Sequence, residues 1–149
     1  MKANQLIREV EVHYRTKPKS DEKVFLKSAP EVVKLFRELE NATQEKLIAI
    51  HVDTYLSVSC FQVVSIGTST QSLADPATIL RTSLLTNSYG LFLIHNHPHG
   101  NSSPSKPDME IKNALAQACQ CLNIQLLDFI ILGDDGTYYS FVEEGILHK

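Results

Sequence analysis

Gly90-Leu91-Phe92-Leu93-Ile94-His95-Asn96-His97-Pro98-His99-Gly100, with Ser105-Lys106-Pro107-Asp108 shortly after, joins an apolar run, a polar loop and a capped helix start. Leu91 to Ile94 is a short unbroken apolar run entered through Gly90, the pattern of a strand buried on both faces. The two histidines therefore fall at its carboxyl end. From Ser105 the chain reads as a helix, with Ser105 as N-cap, Pro107 in the first turn, and Ile111, Leu115, Ala118 and Leu122 at helical spacing. Counting back three from Ile111 reaches Asp108. Its carboxylate is in phase with the buried face, and an inward-facing charge needs a partner.

A metal supplies one. His95 and His97 stand one residue apart, with ten residues between His97 and Asp108. Two neutral imidazoles and a carboxylate are a three-ligand set for a catalytic zinc, leaving the fourth tetrahedral position to water. Ser105-x-x-Asp108 also fits a capping box in which Asp108 answers the helix dipole with no metal present. Two other zinc arrangements are excluded. Deaminases need His-x-Glu with a later Cys-x-x-Cys, whereas Cys119 and Cys121 here are separated by one residue. Barrel hydrolases that use His-x-His need about 250 residues, and this chain has 149.

Outward from this stretch, helical and extended patterns alternate. Leu6 to Tyr14 alternates like a strand before Lys17-Pro18-Lys19-Ser20-Asp21 breaks the chain, so residues 1–26 read as an amino-terminal strand and linker arm of a single 1–149 domain. Ser28 with Glu31 forms a capping box for a helix whose buried face is Val32, Leu35, Phe36 and Leu39. Leu47 to Val52 and Leu56 to Ile66 read as strands joined in a hairpin through Asp53-Thr54-Tyr55. Strict alternation places Val58, Cys60, Gln62, Val64 and Ile66 on one inward face. Asp75-Pro76 starts a helix expected to run to about Ser88. Beyond the Ser105 helix come a strand from Ile124 to Leu132, a turn at Gly133–Gly136 and a last strand from Tyr138 to Val142. Such a mixture gives an α/β (α+β) class, a three-layer α-β-α domain with a mixed sheet whose sites gather at strand carboxyl ends.

Composition narrows the function classes. A net charge of −3 gives no general attraction to phosphate backbones, and the basic run Arg15-Thr16-Lys17-Pro18-Lys19 is a small solvated turn. No 18-residue apolar run and no amino-terminal signal pattern are present, which predicts a cytoplasmic protein without a membrane span. Three cysteines make no even framework, so Cys119 and Cys121 read as reduced and partly buried. His13, His51 and His148 have no partner spacing and read as surface or strand residues.

His95-Asn96-His97-Pro98, Gly100, Pro104-Ser105 and Asp108, preceded by Val63-Val64-Ser65-Ile66-Gly67-Thr68 and followed by Leu126-Leu127-Asp128, resemble the RadC-like branch of the JAB/JAMM (MPN-type) metalloprotease superfamily. The resemblance covers about Ser28 to the carboxyl terminus. Tyr138-Tyr139-Ser140-Phe141 with Glu144-Gly145 is similar to short RadC-like proteins of Bacteroidetes-type mobile elements, and the chain has no room for the helix-hairpin-helix domain of larger ones. The resemblance implies one zinc held by His95, His97 and Asp108. It also implies that Ser105 donates to the water or the developing oxyanion, and that a peptide, isopeptide or related amide bond is hydrolysed.

It also implies a general-base glutamate just before the Val-Val-Ser-Ile-Gly-Thr segment, where this chain has Gln62. A glutamine orients water but takes no proton; Glu45 and Asp53, near the ends of the preceding strand, are the alternative acids. His99 stands where relatives have serine and reads as an exposed loop residue. Three functions are expected in order: an attenuated zinc hydrolase, a metal-stabilised pseudoenzyme that binds a partner, and the DNA-repair accessory role the family name suggests. An edge strand near Tyr138 offers a place for an extended peptide or a second copy.

Overall fold

The computed structural model describes residues 11, 13–15, 21–66 and 75–147. Five strands form one mixed sheet in the order β2-β1-β3-β4-β5: β1 (Lys46–Val52), β2 (Val58–Ile66), β3 (Gly90–Asn96), β4 (Gln125–Leu132) and β5 (Tyr138–Ser140). β1 is antiparallel to both β2 and β3, β3 runs parallel to β4, and β5 returns antiparallel to β4. The parallel step needs a crossover, and α3 (Lys106–Leu122) provides it.

β1, β3 and β4 occupy the sheet interior and carry nearly unbroken apolar runs, because both of their faces are covered. On one face Leu47, Ala49, Leu91, Leu93, Phe129 and Ile131 pack with Ile79 and Leu80 of α2 (Pro76–Leu85) and Ile111 and Leu115 of α3. On the other, Ile48, Ile50, Phe92, Ile94 and Ile130 pack with Ala29 and Val32 of α1 (Ala29–Leu35). The three layers are those the alternating pattern predicts.

Several boundaries differ from the sequence expectation, each for a local reason. α1 gives way after Phe36 to a 3₁₀ segment, Arg37–Asn41; the buried stripe is Ala29, Val32, Phe36 and Leu39, and Leu35, on its flank, is 44% exposed. The α1 capping box is incomplete: Ser28 makes no side-chain cap, and the Glu31 carboxylate accepts from Lys27 N instead. α2 ends at Leu85, not Ser88, as the Thr86 hydroxyl donates to the Thr82 carbonyl and Asn87 takes a left-handed conformation. β5 stops at Ser140, because Phe141 N turns back to the Phe129 carbonyl and Asp128 accepts from Val142 N. β2 begins at Val58 rather than Leu56; Leu56 has φ of 62° in the hairpin connection.

Strict alternation in β2 fails at two register shifts, one near each end. Each extra residue reverses the parity of the side chains beyond it. Cys60 and Gln62 pair with His51 and Ala49 on the α2 side, whereas Val58 pairs with Val52 and packs toward α1. Ile66, expected inward, is 56% exposed. The strand expected over Leu6–Tyr14 lies mostly outside the described residues, and Glu11, His13 and Tyr14 are exposed and not in a strand.

Candidate metal centre

β3 delivers His95 at its end, and alternation carries Leu91, Leu93 and His95 to the α3 side of the sheet. The chain leaves the sheet at His97, whose backbone N donates to the Leu132 carbonyl of β4. The loop to α3 is tied to the β4–β5 turn: Asp134 N donates to the Gly100 carbonyl, and the Ser102 and Thr137 hydroxyls share a hydrogen bond. α3 then starts with its buried stripe facing the same point. Asp108, at the third helical position, is fully buried.

These elements bring His95, His97 and Asp108 together, with one candidate ligand atom from each within 4.8 Å of the others. His97 Nε2 is 3.1 Å from Asp108 Oδ2, and His95 Nε2 is 3.9 Å from Asp108 Oδ1. The far nitrogen of each ring faces a carbonyl: His95 Nδ1 lies 2.9 Å from Lys46 O, and His97 Nδ1 lies 2.9 Å from Asn101 O. A carbonyl only accepts, so each Nδ1 carries the hydrogen and, in a neutral ring, each Nε2 presents its lone pair to Asp108. Two lone pairs aimed at a buried carboxylate need a cation between them.

Asp108 divides its two oxygens. Oδ2 accepts from Ser105 N (2.7 Å) and from the Ser105 hydroxyl (2.6 Å), while Ser105 Oγ accepts from Asp108 N (3.3 Å). The capping box is therefore complete. Oδ1 is buried with no hydrogen-bond partner, a costly state for a carboxylate oxygen. The cap uses Oδ2 and leaves Oδ1 free to ligate. A four-coordinate zinc with bonds of about 2.0–2.1 Å sets its ligand atoms roughly 3.3 Å apart, so small side-chain rotations suffice to close the set. The donor chemistry and the unpartnered oxygen both fit a divalent metal.

Without metal, a proton takes its place. The hydrogen bond with Asp108 raises the His97 pKa above the ordinary imidazole value. Burial alone would raise Asp108, yet the bonds from His97 and Ser105 outweigh it and hold the carboxyl below its usual range. Burial holds His95 below the ordinary value, against the opposing charge of Asp108. In the metal-free site these directions favour a proton on His97, paired with Asp108, and a neutral His95.

The remaining candidates separate cleanly. Glu45, the residue before β1, is half-buried, and its charge favours protonation of both His95 and His97. Asp53 lies at the opposite end of β1, where Val52 pairs with Gly90, and its Oδ1 accepts from Tyr55 N and Ser57 N in the hairpin. From Gly90 to His95 is about 17 Å of strand. Gln62 faces the α2 side as expected, but its Oε1 accepts from the Thr82 hydroxyl at 2.8 Å. Through Ala49 it aligns with Leu93, not His95, which sets it about 10 Å across and about 7 Å along the sheet from the ligand. Glu45 is the acid that sequence spacing undervalues. The signal for it is the antiparallel pairing of the start of β1 with the end of β3.

His99 is exposed with φ of 62° at the tip of the metal loop, and His13 is exposed beside Glu11. His51 is buried in β1 with Nδ1 3.0 Å from Ser83 Oγ; His148 lies outside the described residues. Cys60, Cys119 and Cys121 are free, and none joins the metal cluster. No helix among the described residues is long and apolar enough to cross a membrane.

The chain matches the RadC-like JAB domain over residues 26–146. It is 38% identical over 122 residues to a UPF0758 protein of Thermotoga maritima, covering 82% of this chain and 54% of that protein. It is 36% identical over 111 residues to one of Streptococcus gordonii, covering 74% of this chain and 49% of that protein. A third, from Aquifex aeolicus, is 32% identical over 125 residues, covering 84% and 54%. The chain thus spans about half the length of the curated relatives it matches. Motif, fold and similarity agree, and the chain belongs to the RadC-like JAB domain family.

Proposed function

We propose that this protein is a zinc-dependent hydrolase of the JAMM metallopeptidase type, cleaving a peptide, isopeptide or related amide bond, with Glu45 rather than Gln62 handling the proton. The observation that carries the reading is the buried Asp108 carboxylate, its Oδ1 unpartnered, facing the Nε2 atoms of two histidines whose Nδ1 atoms are bound elsewhere. His95, His97 and Asp108 would hold the zinc. Bound by these residues, zinc would lower the pKa of a bound water to about 7 and would polarise a carbonyl.

The chain's own residues supply the rest. Glu45, just before the start of β1 and so across from the end of β3 that carries His95, would accept the proton of the attacking water and return it to the leaving nitrogen. Ser105, whose hydroxyl rests on Asp108 Oδ2 and whose residue is exposed, turns outward to donate to the developing oxyanion. Gln62 stays on Thr82 and takes no proton.

Turnover of an extended-peptide and isopeptide-linked substrate library with zinc restored tests this directly. Glu45→Gln is expected to lower kcat about 10²–10⁴-fold while zinc remains bound. Gln62→Glu is expected to change the rate little. A large gain in Gln62→Glu with no loss in Glu45→Gln would return the base to position 62. No turnover above a His97→Ala control would favour a metal-stabilised binding module.

A further inference from the structure

Asn96 lies between the two ligand histidines, is 2% exposed, and by strand alternation points to the sheet face opposite His95. It therefore takes no part in the ligand set. Both ends of its carboxamide are nevertheless engaged. Oδ1 accepts from Lys46 N at 2.7 Å, and Nδ2 donates to the Gln44 carbonyl at 3.2 Å.

Those two groups belong to the two peptide units flanking Glu45. One side chain thus pins both, leaving the backbone dihedrals of Glu45 little freedom. Lys46 is shared further. Its N–H is taken by Asn96 and its carbonyl by His95 Nδ1 at 2.9 Å, so consecutive residues of β3 hold both polar groups of one residue of β1. The ladder pairs Leu47 with His95 and goes no further, so the Asn96 side chain stands in for the next backbone rung.

We propose that Asn96 is a positioning residue that clamps residues 44–46, so that one carboxamide sets both the orientation of the His95 ring and the place of Glu45 beside the metal centre. The proposal rests on the hydrolase reading only for the role given to Glu45. An asparagine meets the need because the clamp takes one acceptor and one donor side by side. Aspartate keeps the acceptor but turns a second oxygen toward the Gln44 carbonyl, where the two repel. Alanine removes both bonds and leaves Lys46 N and Gln44 O without their partner.

The test needs neither substrate nor turnover. In the metal-free protein, long-range ¹H–¹⁵N spectra are expected to show His95 as the Nδ1–H tautomer with a slowly exchanging ring proton. In Asn96→Ala and Asn96→Asp, folded by amide dispersion, that proton is expected to exchange at least tenfold faster. Zinc affinity, measured against a chelator, is expected to fall about 10–100-fold, the usual effect of losing a group that orients a ligand. Asn96→Asp keeps the volume, so it tests the donor alone where Asn96→Ala does not fold. Wild-type ring exchange and zinc affinity in the folded variants would overturn the proposal. No turnover by the unaltered protein, with the ring signature and its sensitivity to Asn96 intact, would remove the hydrolase reading and leave the clamp standing.

Discussion

At the scale of single residues, the metal site is a contest between a proton and a cation for the same nitrogen. His97 is held above its ordinary pKa by Asp108, so a proton on the ring is favoured and would have to leave before the ring could ligate. The sign is set by that direction. In the metal-free protein a raised histidine stabilises the fold fully below its unfolded value near 6.5 and loses that contribution as pH rises through the raised value. Asp108, lowered, contributes above its unfolded value near 3.8 and loses it as pH falls through the lowered one. Zinc affinity runs the other way. Calorimetric titration at stepped pH is expected to show it falling about tenfold per unit of acidification below 6.5, with a proton released on binding; a flat profile would mean that His97 does not ligate. His51 titrates apart from the metal. Burial lowers its pKa to about 4, and its Nε2 has no hydrogen-bond partner. A buried base with a depressed pKa must be charged as the medium acidifies, so stability is lost from about pH 6.5 down to about 4, by roughly 3 kcal/mol in full. Urea unfolding across that window, compared with His51→Gln, checks it: the variant should lose much of the slope. Sequence alone singles out the three candidate ligands because they lie at one strand end and one helix start, close along the chain. It conceals Glu45, whose place depends on a pairing some fifty residues apart, and Asn96, whose partners lie at and just before the start of β1.

Among elements, the join of β3 to β4 decides whether the histidines and the aspartate meet. Gly90 opens β3 against Gln125, and a Cβ built there would lie 2.8 Å from the Gln125 carbonyl oxygen and 3.1 Å from its Cβ. Backbone cannot yield as a flexible side chain can. Gly90→Ala is therefore expected to destabilise by about 1–3 kcal/mol, as overpacking does. A shift of the denaturation midpoint with an unchanged slope would show it, and no shift would mean that β3 and β4 separate freely at that end. Periodicity foretells these two strands well, since both faces of each are buried. It is a poorer guide to β2, an edge strand, where each bulge flips the side chains beyond it and no composition signal marks the extra residue. α1 fails differently: Ala29, Val32, Phe36 and Leu39 complete the buried stripe, and Leu35, at its flank, is left facing outward.

Across the whole molecule, the candidate metal centre links parts of the chain that otherwise share only the sheet. His95 belongs to β3, His97 to the loop, and Asp108 to α3, while Lys46 of β1 holds the His95 ring. A metal at that junction binds the folded chain and has no assembled site in the unfolded one, so its binding energy adds to stability. At free zinc about a hundred times its dissociation constant the gain is about 2.7 kcal/mol. For a chain of this size that corresponds to a rise in Tm of roughly 5–10 °C. Asp108→Asn should abolish the rise while keeping most of the cap, since its Oδ atom can still accept from Ser105 N. Thermal unfolding with zinc, and with chelator, in both forms measures the difference. Equal increments in the two would place the stabilising zinc elsewhere and separate the His95–His97–Asp108 cluster from the metal it is shaped to hold.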